Sequence, residues 1–233
     1  MNRTQRIFIM KPYKIIILTL FMAFHVCACF GQVISTFDAS EIDKAAKQFN
    51  EAEAKTTKWA ENIKELGNIS KDSSICYVFD VPSSDSLYVA SVYDCIRMFV
   101  DQRRTERKID YKNSSAEHIV IKTVFPKIIF SDGSLSFAMS IDAHGEMAVD
   151  IKSDGLKVTM KVEKYVNTSP YGRKVEPSYG TVWLPVSSVS PFKDNGNNKL
   201  WCKAFINSNA ECLNLANNFV GIMNAYYTKP DYF

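Results

Sequence analysis

The chain has 233 residues, 46% of them hydrophobic and 23% charged, with 28 Lys and Arg against 25 Asp and Glu. This composition excludes a disordered, collagenous or polytopic membrane protein and predicts one or two globular domains. The net charge of +3 comes from Arg3, Arg6, Lys11 and Lys14; beyond residue 31 there are 24 basic and 25 acidic residues, which argues against a nucleic-acid binder. No reaction is written in the sequence, but a compartment and an architecture are.

Residues 1–31 read as a secretory signal. A basic stretch, with Met10 as an alternative start, leads into the apolar run Ile15–Val26 of 12 residues, short of the ~20 that a membrane-spanning helix needs. Cys29-Phe30-Gly31 before Gln32 suits an ordinary signal peptidase, which would release a soluble chain. Val26-Cys27-Ala28-Cys29 instead has the form of a loose lipobox, which would leave Cys29 lipidated at the new N-terminus. Either route predicts an exported protein, periplasmic or associated with the outer membrane of a Gram-negative bacterium. Four cysteines remain: Cys76, Cys95, Cys202 and Cys212. They allow three disulfide connectivities, but each lies among apolar residues, and we expect buried thiols.

Residues 32–67 form the next segment. Asp38-Ala39-Ser40-Glu41 has the signature of a capping box and predicts a helix over 38–66, closed by Gly67. Its apolar seam (Ile42, Ala45, Phe49, Ala52, Thr56, Trp59, Ile63, Leu66) follows alternating three- and four-residue steps. Such a seam docks on its own domain or pairs with a second copy.

The domain proper is expected over 68–233. Ser74–Val81 is rich in β-branched and aromatic residues and reads as a strand stopped by Pro82. Ser83 or Ser84 can cap the helix that follows, which carries Val89, Val92, Tyr93, Ile96, Phe99 and Val100 on one face. Asp101–Lys108 then reads as its solvated, cationic end, complementing the helix dipole, with anion binding as the sharper alternative.

Between 117 and 166 the alternation of apolar and polar residues is nearly continuous. Asp132-Gly133, His144-Gly145 and Asp154-Gly155 each predict a tight hairpin turn. Met147, Val149 and Ile151 alternate with polar residues, as do Leu156, Val158, Met160 and Val162. Leu135, Phe137, Met139 and Ile141 do the same. This predicts an antiparallel meander with an apolar and a wet face, the latter carrying Ser136, Ser140, Asp150, Lys152, Lys157, Lys161 and Glu163. Pro126 places the first of these strands at an edge or a bend.

Residues 167–197 hold Pro170, Pro177, Pro185 and Pro191, and a short edge strand is expected near 181–186. Their aromatics, Tyr171, Tyr179, Trp183 and Phe192, either pack onto the domain or form a docking strip for a partner or ligand. Residues 198–227 predict a helix whose seam (Trp201, Phe205, Ser208, Cys212, Leu215, Phe219, Ile222, Tyr226) can lie across the apolar sheet face.

The fold class is therefore α+β, an antiparallel meander backed by helices on one face in the order β-α-β(4–5)-α, after a long N-terminal amphipathic helix. This order, the strings Tyr77-Val78-Phe79-Asp80-Val81-Pro82 and Asp85-Ser86-Leu87-Tyr88, and Pro191-Phe192 before the last helix carry a resemblance. Together with the export signal, over about residues 70–227, they resemble the domain family with a TATA-binding-protein-like (TBP-like) fold found in exported proteins of gut-type Gram-negative bacteria. The resemblance implies a curved antiparallel sheet with helices behind it and no assigned reaction.

Beyond the signal the histidines are His118 and His144, and neither accompanies a nucleophile motif. No zinc-ligand spacing, EF-hand or phosphate-binding loop is present. We therefore expect no cofactor, no metal and no nucleic-acid partner, with membrane contact only through a lipid on Cys29. The expected function is a non-enzymatic exported module that binds an envelope protein or a ligand, through the aromatic strip or the wet sheet face. One rival is a structural envelope protein that forms homo-oligomers through the 38–66 helix. A hydrolase with an unrecognised site is the other.

Overall fold

A computed structural model describes residues 37–55, 70, 74–84, 87–131, 139–167, 183–189, 191–193 and 198–228. The export segment with Cys29, the second half of the expected 38–66 helix, the Asp132-Gly133 turn, and Tyr171 and Tyr179 lie outside them.

Helix α1 (Ser40–Lys55) opens where the sequence predicts, with the Asp38 carboxylate accepting the Ser40 N–H at 2.8 Å. Strand β1 (Ile75–Pro82) and helix α2 (Val89–Asp101) follow. Next come β2 (Arg107–Ile109), β3 (His118–Ser131), β4 (Met139–Lys152), β5 (Gly155–Asn167), β6 (Trp183–Pro185), a single 3-10 turn at Val186–Ser188, and α3 (Asn198–Tyr227). The sheet is antiparallel in the order β1-β5-β4-β3-β2. β6 continues the β1 edge of β5, pairing at 164–166. This is an α+β fold, with helices on the apolar face of one six-stranded sheet.

The expected inside and outside of the sheet hold along β1, the second half of β4 and β5 up to its bulge. Ile75, Tyr77, Phe79 and Val81 of β1 are buried, as are Met147, Val149, Leu156, Val158, Met160 and Val162 of the meander. Asp150 and Lys157, their neighbours in sequence, point to the other face and are half-buried. Helix α3 runs over this apolar face and touches β1, β3, β4 and β5. Trp201, Phe205, Ser208, Cys212, Leu215 and Phe219 of its seam are buried, with Phe219 edge-on to Phe99 of α2 at 5.3 Å. Ile42 and Phe49 of α1 are buried within this same domain, where α1 packs on α3 and β1. All four cysteines beyond the signal are free thiols; Cys95, Cys202 and Cys212 are buried and Cys76 is half-buried.

α2 opens after Tyr88 with no side-chain cap, so neither Ser83 nor Ser84 caps it as expected, and three further expectations are corrected. His144-Gly145 is no turn; both residues lie inside β4, which runs unbroken from Met139 to Lys152. Opposite them β5 has one extra residue, Glu163, so Gly145 pairs with Val162 while His144 pairs with Lys164. A Cβ on Gly145 would sit 1.8 Å from the Lys161 carbonyl oxygen, so the glycine is required by a β-bulge rather than by a hairpin. The bulge also switches the buried parity of β5 from Val162 to Tyr165.

Second, Asp101–Lys108 is solvated only in part and is not all helix end. α2 stops at Asp101, and Arg107 turns inward from the short strand β2 with 6% of its surface exposed. Third, Ser140, assigned to the wet face, is buried. The Asp154-Gly155 hairpin does form, with Ser153 and Asp154 between the paired Lys152 and Gly155. Pro126 marks a bend, a bulge in β3 between Phe125 and Ile129. There Lys127 takes a positive φ of 53° and its N–H is held by the Asp142 carboxylate at 2.7 Å.

Candidate functional site

Of the two surfaces nominated by the sequence, the wet sheet face carries paired charges that stay partly exposed, and the aromatic strip is only partly described. On the wet sheet face, cross-strand charges satisfy one another. Lys122 reaches Glu146 at 2.6 Å, Lys152 reaches Asp80 at 2.7 Å and His118 Nδ1 meets Asp150 at 2.5 Å; within β5, Lys161 lies 3.5 Å from Glu163. The Lys152 ammonium holds the Asp80 carboxyl below its ordinary range by hydrogen bond and by charge. Of the aromatic strip, Phe192 is half-buried and packs edge-on against Phe205 of the core at 5.5 Å. Trp183 lies in β6, with its side chain outside the described residues.

A cleft of about 350 Å³ opens elsewhere, at the β2 edge of the sheet between α2 and α3. One wall is the turn from α2 into β2, with Arg103, Glu106 and Arg107. The floor is β3 as it enters its bulge, from Thr123 through Phe125 to Pro126. The other wall is one stripe of α3: Glu211, Asn214, Leu215 and Asn218, at steps of three, one and three that put them on a single helix face. Cross-strand pairing of Arg107 with Thr123 brings the first wall onto the floor, and the Val124 N–H donates to the Glu106 carbonyl at 2.8 Å to fix it there.

Arg107 is the unusual group. Its Nη1 donates to the Phe99 carbonyl at 3.0 Å, capping the last turn of α2, and its Cζ stacks 4.0 Å above the Phe99 ring. Among the described residues no carboxylate lies within ion-pair distance of it. Glu106 is instead engaged by Arg103 at 3.2 Å, and Asp101 by Arg104 at 2.9 Å. Burial pulls the Arg107 guanidinium below its ordinary range; repulsion from Arg103 adds to this and Glu106 opposes it. The guanidinium remains a cation, since an arginine does not deprotonate in a protein.

The sequence reading missed this cleft because it ended α2 seven residues too late. Arg107 and Ile109 alternate with Lys108, a period of two that belongs to a strand, but three residues are too few to stand out beside the basic run that precedes them. Among the described residues no group of three His, Cys, Asp or Glu could hold a metal, and no helix is long and apolar enough to cross a membrane.

No protein-family model matches the chain, nor does any curated protein. Among solved structures it is similar to a TBP-like protein from Parabacteroides distasonis, at 10% identity and a TM-score of 0.42, over 70% of this chain and 99% of that one. It is also similar to a DUF4468 family protein from Bacteroides ovatus, at 13% identity and a TM-score of 0.39, over 72% of this chain and 93% of that one. Neither description names a ligand or a reaction, so what this chain does is read from its own side chains.

Proposed function

We propose that this protein is an exported cell-envelope module that binds rather than transforms its ligand, and that the ligand sits in the cleft between α2, the β3 bulge and α3. The observation that carries this reading is Arg107. An arginine with 6% of its surface exposed normally meets a carboxylate, because an unpaired buried charge is costly. Arg107 spends one of its five N–H donors on a backbone carbonyl and stands in the wall of a cleft with the rest. Donors held ready in a concave site, over a floor that is apolar only in part, are placed to fix the orientation of a small polar molecule.

Export supports the same reading. The basic stretch, the apolar run Ile15–Val26 and the cleavage patterns at Gly31 and Cys29 would deliver the domain to an envelope compartment, free or on a lipid. Native mass spectrometry of the full-length gene product isolated from the bacterial envelope tests both parts. A chain that begins at Gln32, or at a lipid-modified Cys29, and carries a small molecule is expected. Asn214→Trp, which fills the cleft from an exposed position, should release that molecule. An unprocessed chain would overturn export, and a processed chain with no retained molecule would overturn the binding role.

A further inference from the structure

We infer that the cleft recognises the anionic head of a small polar molecule, a carboxylate or a phosphate, seated on the guanidinium of Arg107. This deepens the binding role proposed above and rests on it. Arg103 and Glu106, on the same wall, neutralise each other at 3.2 Å, which leaves Arg107 as that wall's uncompensated charge.

The guanidinium is also held in place. The Phe99 ring covers one of its faces at 4.0 Å and the Phe99 carbonyl fixes Nη1 at 3.0 Å, so the remaining N–H groups present a fixed planar fork. Such a fork matches two oxygens of a carboxylate or phosphate, and one already immobilised loses little further freedom on binding. The opposite wall suits the body of the same molecule. Asn214 and Asn218 are exposed carboxamides that can both donate and accept, as hydroxyl and amide groups require, and Phe125 and Leu215 lay an apolar floor. A volume of about 350 Å³ is at the small end of ligand sites, room for one head group and a short body. Glu211, at the rim, disfavours a second negative charge at that end and sets the direction in which the molecule lies.

The test is an NMR titration of the mature chain with inorganic phosphate and, separately, with acetate at constant ionic strength. Saturable shifts of the Thr123, Val124, Asn214 and Asn218 amides are expected, and the probe that binds more tightly identifies the head group. Asn218→Asp, an exposed change that leaves the α2 cap intact, should weaken the tighter probe about threefold to tenfold, and Glu211→Gln should strengthen it by a similar factor. Arg107→Lys keeps the charge and loses the fork, and should weaken it further than Asn218→Asp does. Shifts absent at tens of millimolar of both probes, or equal affinities in Asn218→Asp and Glu211→Gln, would overturn the inference. An uncharged molecule retained in native mass spectra and released by Asn214→Trp would overturn the anionic head while leaving the binding role standing. A cleft empty in both experiments would overturn both.

Discussion

Gly145 illustrates how one residue type serves two backbone needs. A glycine after a histidine, between alternating segments, reads as a hairpin tip, since a tight turn needs a residue free to take positive φ. A bulge needs a glycine for a different reason, because the partner backbone comes too close for any side chain. Here the Lys161 carbonyl fills the place of a Cβ, and that carbonyl is backbone that cannot swing away. Gly145→Ala should therefore destabilise the fold by about 3 kcal/mol, at the upper end of overpacking costs, and the urea midpoint should fall with an unchanged slope. An alanine variant of wild-type stability would mean that β4 and β5 are not paired in this register. Arg107 follows the same logic in side-chain terms, since an arginine on the covered face of a strand is tolerated only where a carbonyl, a ring and an open cleft take up its parts.

At the scale of elements, α3 organises the molecule because most of its circumference is buried and one stripe, with Glu211, Asn214 and Asn218, is exposed. Its seam covers the sheet, while its buried polar residues tie down other segments. Tyr77 Oη of β1 donates to Asn209 Oδ1 at 2.9 Å, and Asn209 Nδ2 returns a bond to the Phe205 carbonyl of its own helix. Near its C-terminal end, the Asn224 carboxamide accepts from the Phe37 N–H at 2.7 Å and donates to the Phe37 carbonyl at 3.0 Å. The amide thus stands in for a neighbouring strand. The Phe37 ring adds an edge-on contact with Tyr227 at 5.3 Å. This clasp holds the start of the described chain, immediately before α1, to the end of the last helix. Asn224→Leu leaves both Phe37 groups unpaired and should cost about 2 kcal/mol. Because the loss is local, amide exchange at Phe37–Ile42 should accelerate more than exchange in β4 and β5. Uniform acceleration across the sheet would show that the clasp is not a separate unit.

For the whole molecule, the shifted groups define a window of pH stability. Burial lowers the His144 pKa from its ordinary 6.5, Asp142 opposes the change and Lys164 adds to it. A lowered folded value means that the unfolded chain binds the proton more readily, so this stability is present above pH 6.5 and is lost as pH falls through the lower folded value. Burial raises the Cys95 thiol from 9.0 to about 12 and the Tyr227 hydroxyl from 10.0 to about 12, and it also raises Cys202 and Cys212. A raised folded value reverses the sign; that stability is present below pH 9.0 and declines above it as the unfolded thiols ionise. Urea midpoints should therefore be flat between about pH 6.5 and 9 and fall on both sides. His144→Gln should remove the first part of the acid slope without changing the midpoint at pH 8. An unaltered slope would show that His144 is charged in the folded state.

The sequence alone determined most of the elements and the faces they bury, because periods of two and of three to four are local properties of side-chain direction. It placed α3 at Asn198–Tyr227, the Asp154-Gly155 hairpin and the apolar sides of β1, β4 and β5. Tertiary structure decided what depends on two segments meeting. Whether Gly145 turns the chain or accommodates a bulge depends on the Lys161 backbone opposite it. That Arg107 is covered depends on Phe99 and α3, and the cleft joins residues more than a hundred positions apart. A local pattern records how each side chain leaves its own backbone; only packing assigns the neighbour that it finds there.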